Sequence, residues 1–240
     1  MEKDTGWRAK VGLLLPSVNS VVEPWFYYVA PDGVTFHSSR MLLESQGGVE
    51  AVEKMIQNSL RAAQEVACVP VDFIAYCCTA ATLVKGPAYD EELIGKLESE
   101  TGIRATTATG SILKAFDAFN IKKIVIAGPY TKDIEELEIK YFEQCGYEVL
   151  NAEGMNLSAA DLDKPSPDEI YRFSKRAWNE KADCLFIGCL NFRAQAIIEA
   201  LEHDIKRPVI TSTQAVLWNI LRMIDVNEPI KGYGKLLAEF

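Results

Sequence analysis

Histidine is scarce in this chain of 240 residues: only His37 and His203 occur, and neither lies in a strand-end loop. That weakens any Ser-His or Cys-His triad, which needs an imidazole beside its nucleophile. The sequence has no Gly-x-Gly-x-x-Gly fingerprint and no Gly-Lys-Ser/Thr phosphate loop, the two commonest nucleotide-binding devices. No Cys-x-x-Cys pair with histidine partners suggests zinc. No apolar run approaches the roughly 18 residues of a membrane span. Positive charge is also short: the net charge is −9 with no basic stripe, which argues against a nucleic-acid partner. Residues 1–10 are charged and lack the apolar core of a signal peptide, so a cytoplasmic location is expected. The six cysteines then read as free thiols rather than a disulfide framework, with Cys68, Cys145 and Cys184 as core or near-surface thiols. A site built from these residues is expected to work without cofactor or metal.

What the chain does have is alternation. Apolar strands at Lys10–Leu15, Val71–Tyr76, Ile103–Thr107, Lys123–Ala127, Tyr147–Leu150, Cys184–Gly188 and Pro208–Thr211 alternate with helical spacing. The helices are expected at Glu50–Val66, Ala88–Thr101, Ser111–Phe119, Lys132–Cys145, Pro167–Glu180, Ala194–His203 and Gln214–Ile224. Continuous apolar strands in strict β–α order mark a parallel sheet covered on both faces. The order also repeats. Val11 to Asn19 is answered by Ile124 to Thr131, and Ile103 to Thr109 by Pro208 to Thr213, at similar offsets. The expected fold is therefore α/β: two similar flavodoxin-like lobes with parallel sheets, related by a pseudo-two-fold, with an active site in the cleft between them. The expected lobes are residues 1–117 with 216–240, and residues 118–215. Asp161 to Asp168 reads as a surface loop and helix start rather than a boundary.

Two cysteines occupy matching points of the two halves. Cys78 ends one apolar strand and Cys189 another, each followed by small or polar residues. A thiol at the carboxyl end of a parallel strand neighbours a helix N-terminus, where free N–H groups favour thiolate and carboxylate alike. Such a terminus can lower a thiol into the physiological range, and thiolate is a strong nucleophile. The repetition points to a thiol on each side of one small substrate. Side chains alternate along a strand, so only one of Cys77 and Cys78 faces the cleft; counting back from Lys85-Gly86 favours Cys78. On the first strand's exit loop, Ser17 and Asn19 either bind a carboxylate or cap the next helix. In the matching loop, Tyr130 either hydrogen-bonds an oxyanion or packs with its hydroxyl in water.

Together, Pro16-Ser-Val-Asn-Ser20 with Glu23, Cys78 with Lys85-Gly86, Pro129-Tyr130, Gly188-Cys-Leu-Asn-Phe-Arg193 and Gly232-Tyr-Gly-Lys-Leu-Leu237 resemble the maleate cis–trans isomerases. Those belong to the aspartate/glutamate racemase superfamily, with arylmalonate decarboxylase and hydantoin racemase. The resemblance runs nearly end to end. The decarboxylase keeps the second cysteine but has glycine where this chain has Cys78. The amino-acid racemases show Cys-Asn-Thr-Ala and Cys-Thr-His, where this chain has Cys78-Thr-Ala-Ala and Cys189-Leu-Asn.

The resemblance implies catalytic Cys78 and Cys189. It also implies a dicarboxylate held by strand-end N–H groups and by Ser17, Asn19, Thr79, Ala80, Tyr130, Leu190 and Asn191, with Asn156 reaching from the second lobe. It implies addition of Cys78 to the double bond of maleate, rotation of the succinyl adduct and elimination of fumarate. It suggests a homodimer, to which Trp25-Phe-Tyr-Tyr28 offers a candidate interface unless that segment packs in the core. The competing readings are a two-thiol racemase, a decarboxylase-like enzyme, and a non-catalytic protein binding a small dicarboxylate.

Overall fold

The computed structural model describes residues 5–44 and 47–240. The first half of the chain runs β1 (Ala9–Pro16), α1 (Val22–Val29), β2 (Val34–Met41), α2 (Gly48–Ile56), α3 (Ser59–Ala67) and β3 (Phe73–Tyr76). It continues through α4 (Thr79–Lys85), α5 (Ala88–Thr101), β4 (Ala105–Thr107) and α6 (Ala108–Ala118). The second half runs β5 (Lys123–Gly128), α7 (Lys132–Gln144), β6 (Glu148–Gly154), α8 (Pro167–Ala177) and β7 (Cys184–Ile187). A 3-10 turn, Gln195–Ile197, then leads to α9 (Ile198–Ile205), β8 (Val209–Thr211), α10 (Ser212–Met223) and α11 (Lys235–Glu239).

The strands form two four-stranded sheets ordered β2-β1-β3-β4 and β6-β5-β7-β8, parallel throughout. In each, the chain leaves the first strand to one side and returns on the other. A crevice therefore opens at the carboxyl ends of β1 and β3, and of β5 and β7, the place where open α/β sheets bind ligands. The expected α/β fold with two similar parallel sheets is the one observed.

The two halves use the same local devices. Asp72, just ahead of β3, accepts from Lys10 N–H at 2.8 Å near the start of β1, and Asp183, just ahead of β7, accepts from Lys122 and Lys123 N–H at 3.0 and 2.8 Å at the start of β5. Thr107 and Thr211, each ending a strand, cap α6 and α10 by accepting from Gly110 and Gln214 N–H. Such caps are worth about 1 kcal/mol each. The central strands are dry: Val11, Leu13, Leu14 and Leu15 of β1 and all four residues of β7 are fully buried. Gly12 lets α3 close on β1, since a Cβ there would come within 2.9 Å of Val66.

The lobes interlock through their linking helices. α6 follows the first sheet but packs on the second, where Phe116 meets Phe186 edge-on at 5.6 Å. α10 follows the second sheet but lays Val216, Leu217 and Ile220 over Val11, Leu13 and Ala75 of the first. Asn219 of α10 donates to Thr106 and to Ser111 across the join. Shortening Phe116 to alanine is expected to cost about 3–5 kcal/mol, because the void opens against Phe142, Tyr147 and Phe186 together. Urea unfolding monitored by circular dichroism measures it.

Several elements differ from the sequence expectation, among them the short helices α1, α4 and α11 and a β6 that runs on to Gly154. β2 was not anticipated: it is an edge strand whose His37, Ser38 and Arg40 lie toward solvent, so it shows no continuous apolar run. The single helix expected over Glu50–Val66 is two, divided at Gln57 and Asn58. α2 packs on α4 and α7, whereas α3 packs on β1, β2 and α5. The helix starting at Pro167 stops at Ala177, where Trp178 turns extended. Its start carries a capping box between Ser166 and Glu169, so the Asp161–Asp168 stretch is indeed a loop and helix entry. No helix among the described residues is long and apolar enough to cross a membrane.

Candidate active site

Four strand-end loops, two from each lobe, meet at one cavity of about 50 Å³. Larger clefts lie on the surface, but this one gathers the carboxyl ends of β1, β3, β5 and β7, and Cys77, Cys78 and Cys189 are all among its lining residues. Asn19, Cys78, Thr79, Ala80, Tyr130, Cys189, Leu190 and Asn191 all line it, with Leu43 and Leu162 as apolar walls.

The sheet register identifies the paired thiols. The last ladder bond of β3 runs from Cys77 N–H to Leu14 O at 2.9 Å, and that of β7 from Gly188 N–H to Ala127 O at 2.9 Å. The residues that follow, Cys78 and Cys189, are therefore counterparts. Cys77 packs among Leu13, Ala75 and Leu217, with its Sγ toward Ala75 O. Cys78 meets the backbone N–H groups of Ala80 and Ala81 at the start of α4.

Cys189 lies in the left-handed region at φ 75°, an uncommon conformation for a side chain larger than glycine. Such strain costs on the order of 1–3 kcal/mol and concentrates at functional sites. It turns the chain out of β7 so that Asn191 N–H reaches back to the Cys189 sulfur at 3.4 Å.

Both thiols are buried, at 7% and 6% exposure. The sequence reading gave the helix terminus the power to lower them. At this depth desolvation outweighs it, because burial penalises the charged form. Burial pushes Cys78 up to about 11, with the Ala81 and Ala80 N–H groups pulling the other way. Burial pushes Cys189 up to about 12, against the opposing pull of Asn191 N–H and the Tyr130 hydroxyl. Tyr130 is raised well above its ordinary value by burial, so its phenol stays protonated and donates. Its hydroxyl pairs with Thr79 Oγ1 at 2.6 Å, a bond from one lobe to the other.

The remaining predicted residues fall into distinct places. Asn19 resolves the alternatives of cap and ligand by serving as a cap while keeping a donor in hand. Its Oδ1 accepts from Val21 and Val22 N–H at 3.1 and 3.0 Å, leaving Nδ2 without a protein partner among the described residues. Asn191 spends its side chain between the lobes, accepting from Ser20 N–H at 2.8 Å and donating to Val18 O at 3.2 Å. Ser17 does not line the cavity; its Oγ accepts from Leu43 N–H at 3.0 Å and so holds the cavity wall. Asn156 is exposed and also off the cavity lining, and its backbone N–H braces the Tyr130 loop at 3.1 Å from Tyr130 O. Arg40, which sequence reasoning did not single out, donates to Asn19 O at 2.7 Å and pairs with Glu23, fixing the β1 exit loop. It lies on the unanticipated strand β2, which is why no motif pointed to it.

Comparison with known proteins bears on this geometry. A family model described as arylmalonate decarboxylase matches residues 11–237. A maleate isomerase of Pseudomonas putida is 26% identical over 95% of this chain and 97% of its own length. Among solved structures, a cysteine-to-alanine variant of the maleate isomerase Iso from Pseudomonas putida S16, with maleate, superposes with a TM-score of 0.91. It is 24% identical and covers 96% of this chain and 97% of that one. A cysteine-to-serine variant of the Nocardia farcinica maleate cis-trans isomerase, carrying a covalently bound succinylcysteine intermediate, superposes at 0.90. It is 20% identical over 97% of this chain and 99% of that one. The two structures establish that the fold is shared over nearly all of the chain.

Proposed function

The chain belongs to the arylmalonate decarboxylase family, and on that footing we propose that it is a cofactor-independent isomerase converting maleate, or a closely related enoic diacid, to fumarate. The observation that carries this reading is the pair of thiols facing one small cavity from opposite lobes. A decarboxylase of the kind described above needs only the second of them. The 26% relative is a maleate isomerase, which agrees.

In this mechanism both carboxylates of maleate are held by local donors in spite of the net charge of −9. Asn19 Nδ2, which has no protein partner among the described residues, and the backbone N–H groups of Thr79 and Leu190 supply them, while Tyr130 and Asn191 N–H serve the Cys189 sulfur. Cys78, as thiolate, attacks one alkene carbon and forms a C–S bond. The π electrons pass to the neighbouring carbon, which takes the proton of Cys189. The former double bond is now single and rotates. The Cys189 thiolate, stabilised by Asn191 N–H and Tyr130, then recovers the proton, the C–S bond breaks, and fumarate leaves. Atoms and electrons balance without an oxidant, a reductant or a metal.

The cavity of about 50 Å³ is well below the roughly 150 Å³ that accommodates benzene. A four-carbon diacid therefore enters only when the Leu43 and Leu162 walls move outward, and their return excludes water while the adduct rotates. The six unpaired cysteines fit a reducing cytoplasm. The exposed Tyr27 and Tyr28 beside the half-buried Trp25 suit a homodimer contact.

The test is incubation with maleate alone, followed by proton NMR. Fumarate should appear, and no deuterium exchange at Cα should occur with amino acids in deuterated water. Unchanged maleate overturns the reading. Tyr130→Phe is expected to reduce kcat by about 10²-fold with little change in melting temperature, because it removes the one hydroxyl that touches both Thr79 and the Cys189 sulfur. Steady-state kinetics on the purified variant checks it.

A further inference from the structure

One buried carboxyl near the site has no part in the mechanism above. Glu138, on α7, is only 2% exposed and sits against the carboxyl ends of both central strands of the second sheet. A Cβ added to Gly188 would come within 2.8 Å of Glu138 Oε1, and one added to Gly128 within 4.0 Å of Oε2. Gly188 immediately precedes Cys189, and Gly128 lies two residues before Tyr130. The carboxyl is thus directly beneath the two loops that carry the acid–base chemistry. Only glycine at position 188 leaves it room.

No hydrogen bond or ion pair to its oxygens forms among the described residues. On its own helix the neighbouring acid is Glu135, which pairs with Lys132. From the strand-end loops it faces Tyr130 and Cys189. The charged groups of the other elements packed on α7 are engaged elsewhere: Glu153 of β6 with Arg176, Lys85 of α4 with Glu53, and Lys54 of α2 with Glu44 and Glu50. A buried carboxylate without a cation is costly, and neutralisation is the cheaper state. Burial first, and the charge of Glu135 second, push Glu138 up to about 8.

We propose that Glu138 is a positioning residue that acts as a protonated acid beneath Cys189, permitting the Cys189 sulfur to take up negative charge while neutral and blocking that step once ionised. The inference rests on the isomerase reading, which makes Cys189 the group that releases and recovers a proton. The sign follows from Coulomb repulsion. An ionised Glu138 raises both Cys189 and Tyr130, making the thiolate harder to form and the phenol a poorer donor to it. Increasing pH meanwhile supplies more Cys78 thiolate. Wild-type kcat should therefore climb with pH and then turn down as Glu138 ionises, while the climb should continue in Glu138→Gln, which keeps the shape of the neutral acid without its charge.

Three measurements decide it. In a Cys78→Ser background, Cys189 alkylation by iodoacetamide at pH 9, quantified by peptide mass spectrometry, should be at least about twofold faster with Glu138→Gln, a few tenths of a unit of thiol acidity. Equal or slower alkylation overturns the proposal. With maleate, Glu138→Gln should keep neutral-pH kcat within about threefold and lose the alkaline decline, since the neutral carboxyl and the amide are equivalent to Cys189. An unchanged pH profile overturns it. If Glu138→Gln does not fold, infrared spectroscopy of the wild type remains. A protonated-carboxyl carbonyl band at pH 7 that vanishes on raising the pH supports the proposal, and its absence at pH 7 overturns it. Wild-type protein that leaves maleate untouched defeats the isomerase reading itself, whereas turnover with no Glu138-dependent limb defeats only this inference.

Discussion

Serine in place of Cys78 is expected to lower maleate turnover by at least about 10³-fold, with no covalent adduct formed. The exchange is nearly isosteric, so Thr79, Ala80 and Tyr130 should keep their places around the cavity. What changes is the nucleophile. The thiol, although pushed up to about 11 by burial, still yields some thiolate near neutral pH, and the Ala80 and Ala81 N–H groups favour that form. A serine hydroxyl in the same dry pocket yields none, and a neutral hydroxyl adds poorly to an electron-rich alkene dianion. Fumarate formation by NMR, with melting temperature as a check on folding, measures the effect. Retention of more than a tenth of the activity would mean that Cys78 is not the attacking atom. It would also revive the reading in which the chain binds a dicarboxylate without transforming it.

Serine in place of Cys189 should abolish steady turnover to a similar extent, about 10³-fold, but with the opposite trace in a mass spectrum. Addition at Cys78 consumes only that thiol, and the neighbouring carbon slowly takes its proton from a water molecule, with hydroxide released to solvent and the new hydroxyl left neutral. Elimination is different, because it requires a base that recovers the proton from carbon. A serine held near Asn191 N–H is too weak a base for that. The expected result is a stoichiometric succinyl adduct on Cys78 that persists after excess maleate is removed. If no adduct forms, Cys189 acts before or during the attack, and the division of labour between the thiols must be redrawn. The two variants together also separate isomerase from racemase, since a racemase has no reason to hold an adduct in either.

Much of this site was legible along the chain. Strand ends are local features: an apolar run, then Cys-Thr-Ala-Ala or Cys-Leu-Asn, places a thiol at a crevice whatever the rest of the chain does. The repeat of that pattern implied two similar sheets, and two sheets are present. Residues carrying a side chain and a backbone role at once were harder. Asn19 read as either cap or ligand, and the fold lets its two amide atoms divide the roles. Asn191 sits at the cavity, yet its amide ties Ser20 and Val18 of the opposite lobe. Asn156 belongs to the Tyr130 loop by a backbone bond, with its side chain in solvent. No spacing rule marks such partners, because they lie in distant parts of the chain.

Local patterning along the chain specifies a parallel α/β architecture in two similar halves, with a cysteine at the mouth of each. Hydrophobic periodicity and turn residues act over a few positions, so they survive in a linear reading. The tertiary structure decided what those cysteines experience. It turned the Cys77 side chain into the core beside the last ladder bond of β3, carried α6 from the first sheet onto the second, and brought Arg40 from an edge strand with no apolar signature. It also buried both thiols so deeply that desolvation raised them in spite of the N–H groups beside them, and set Glu138 beneath Gly188. Desolvation and through-space charge depend on everything packed around a group, and a chain read in order does not contain that sum.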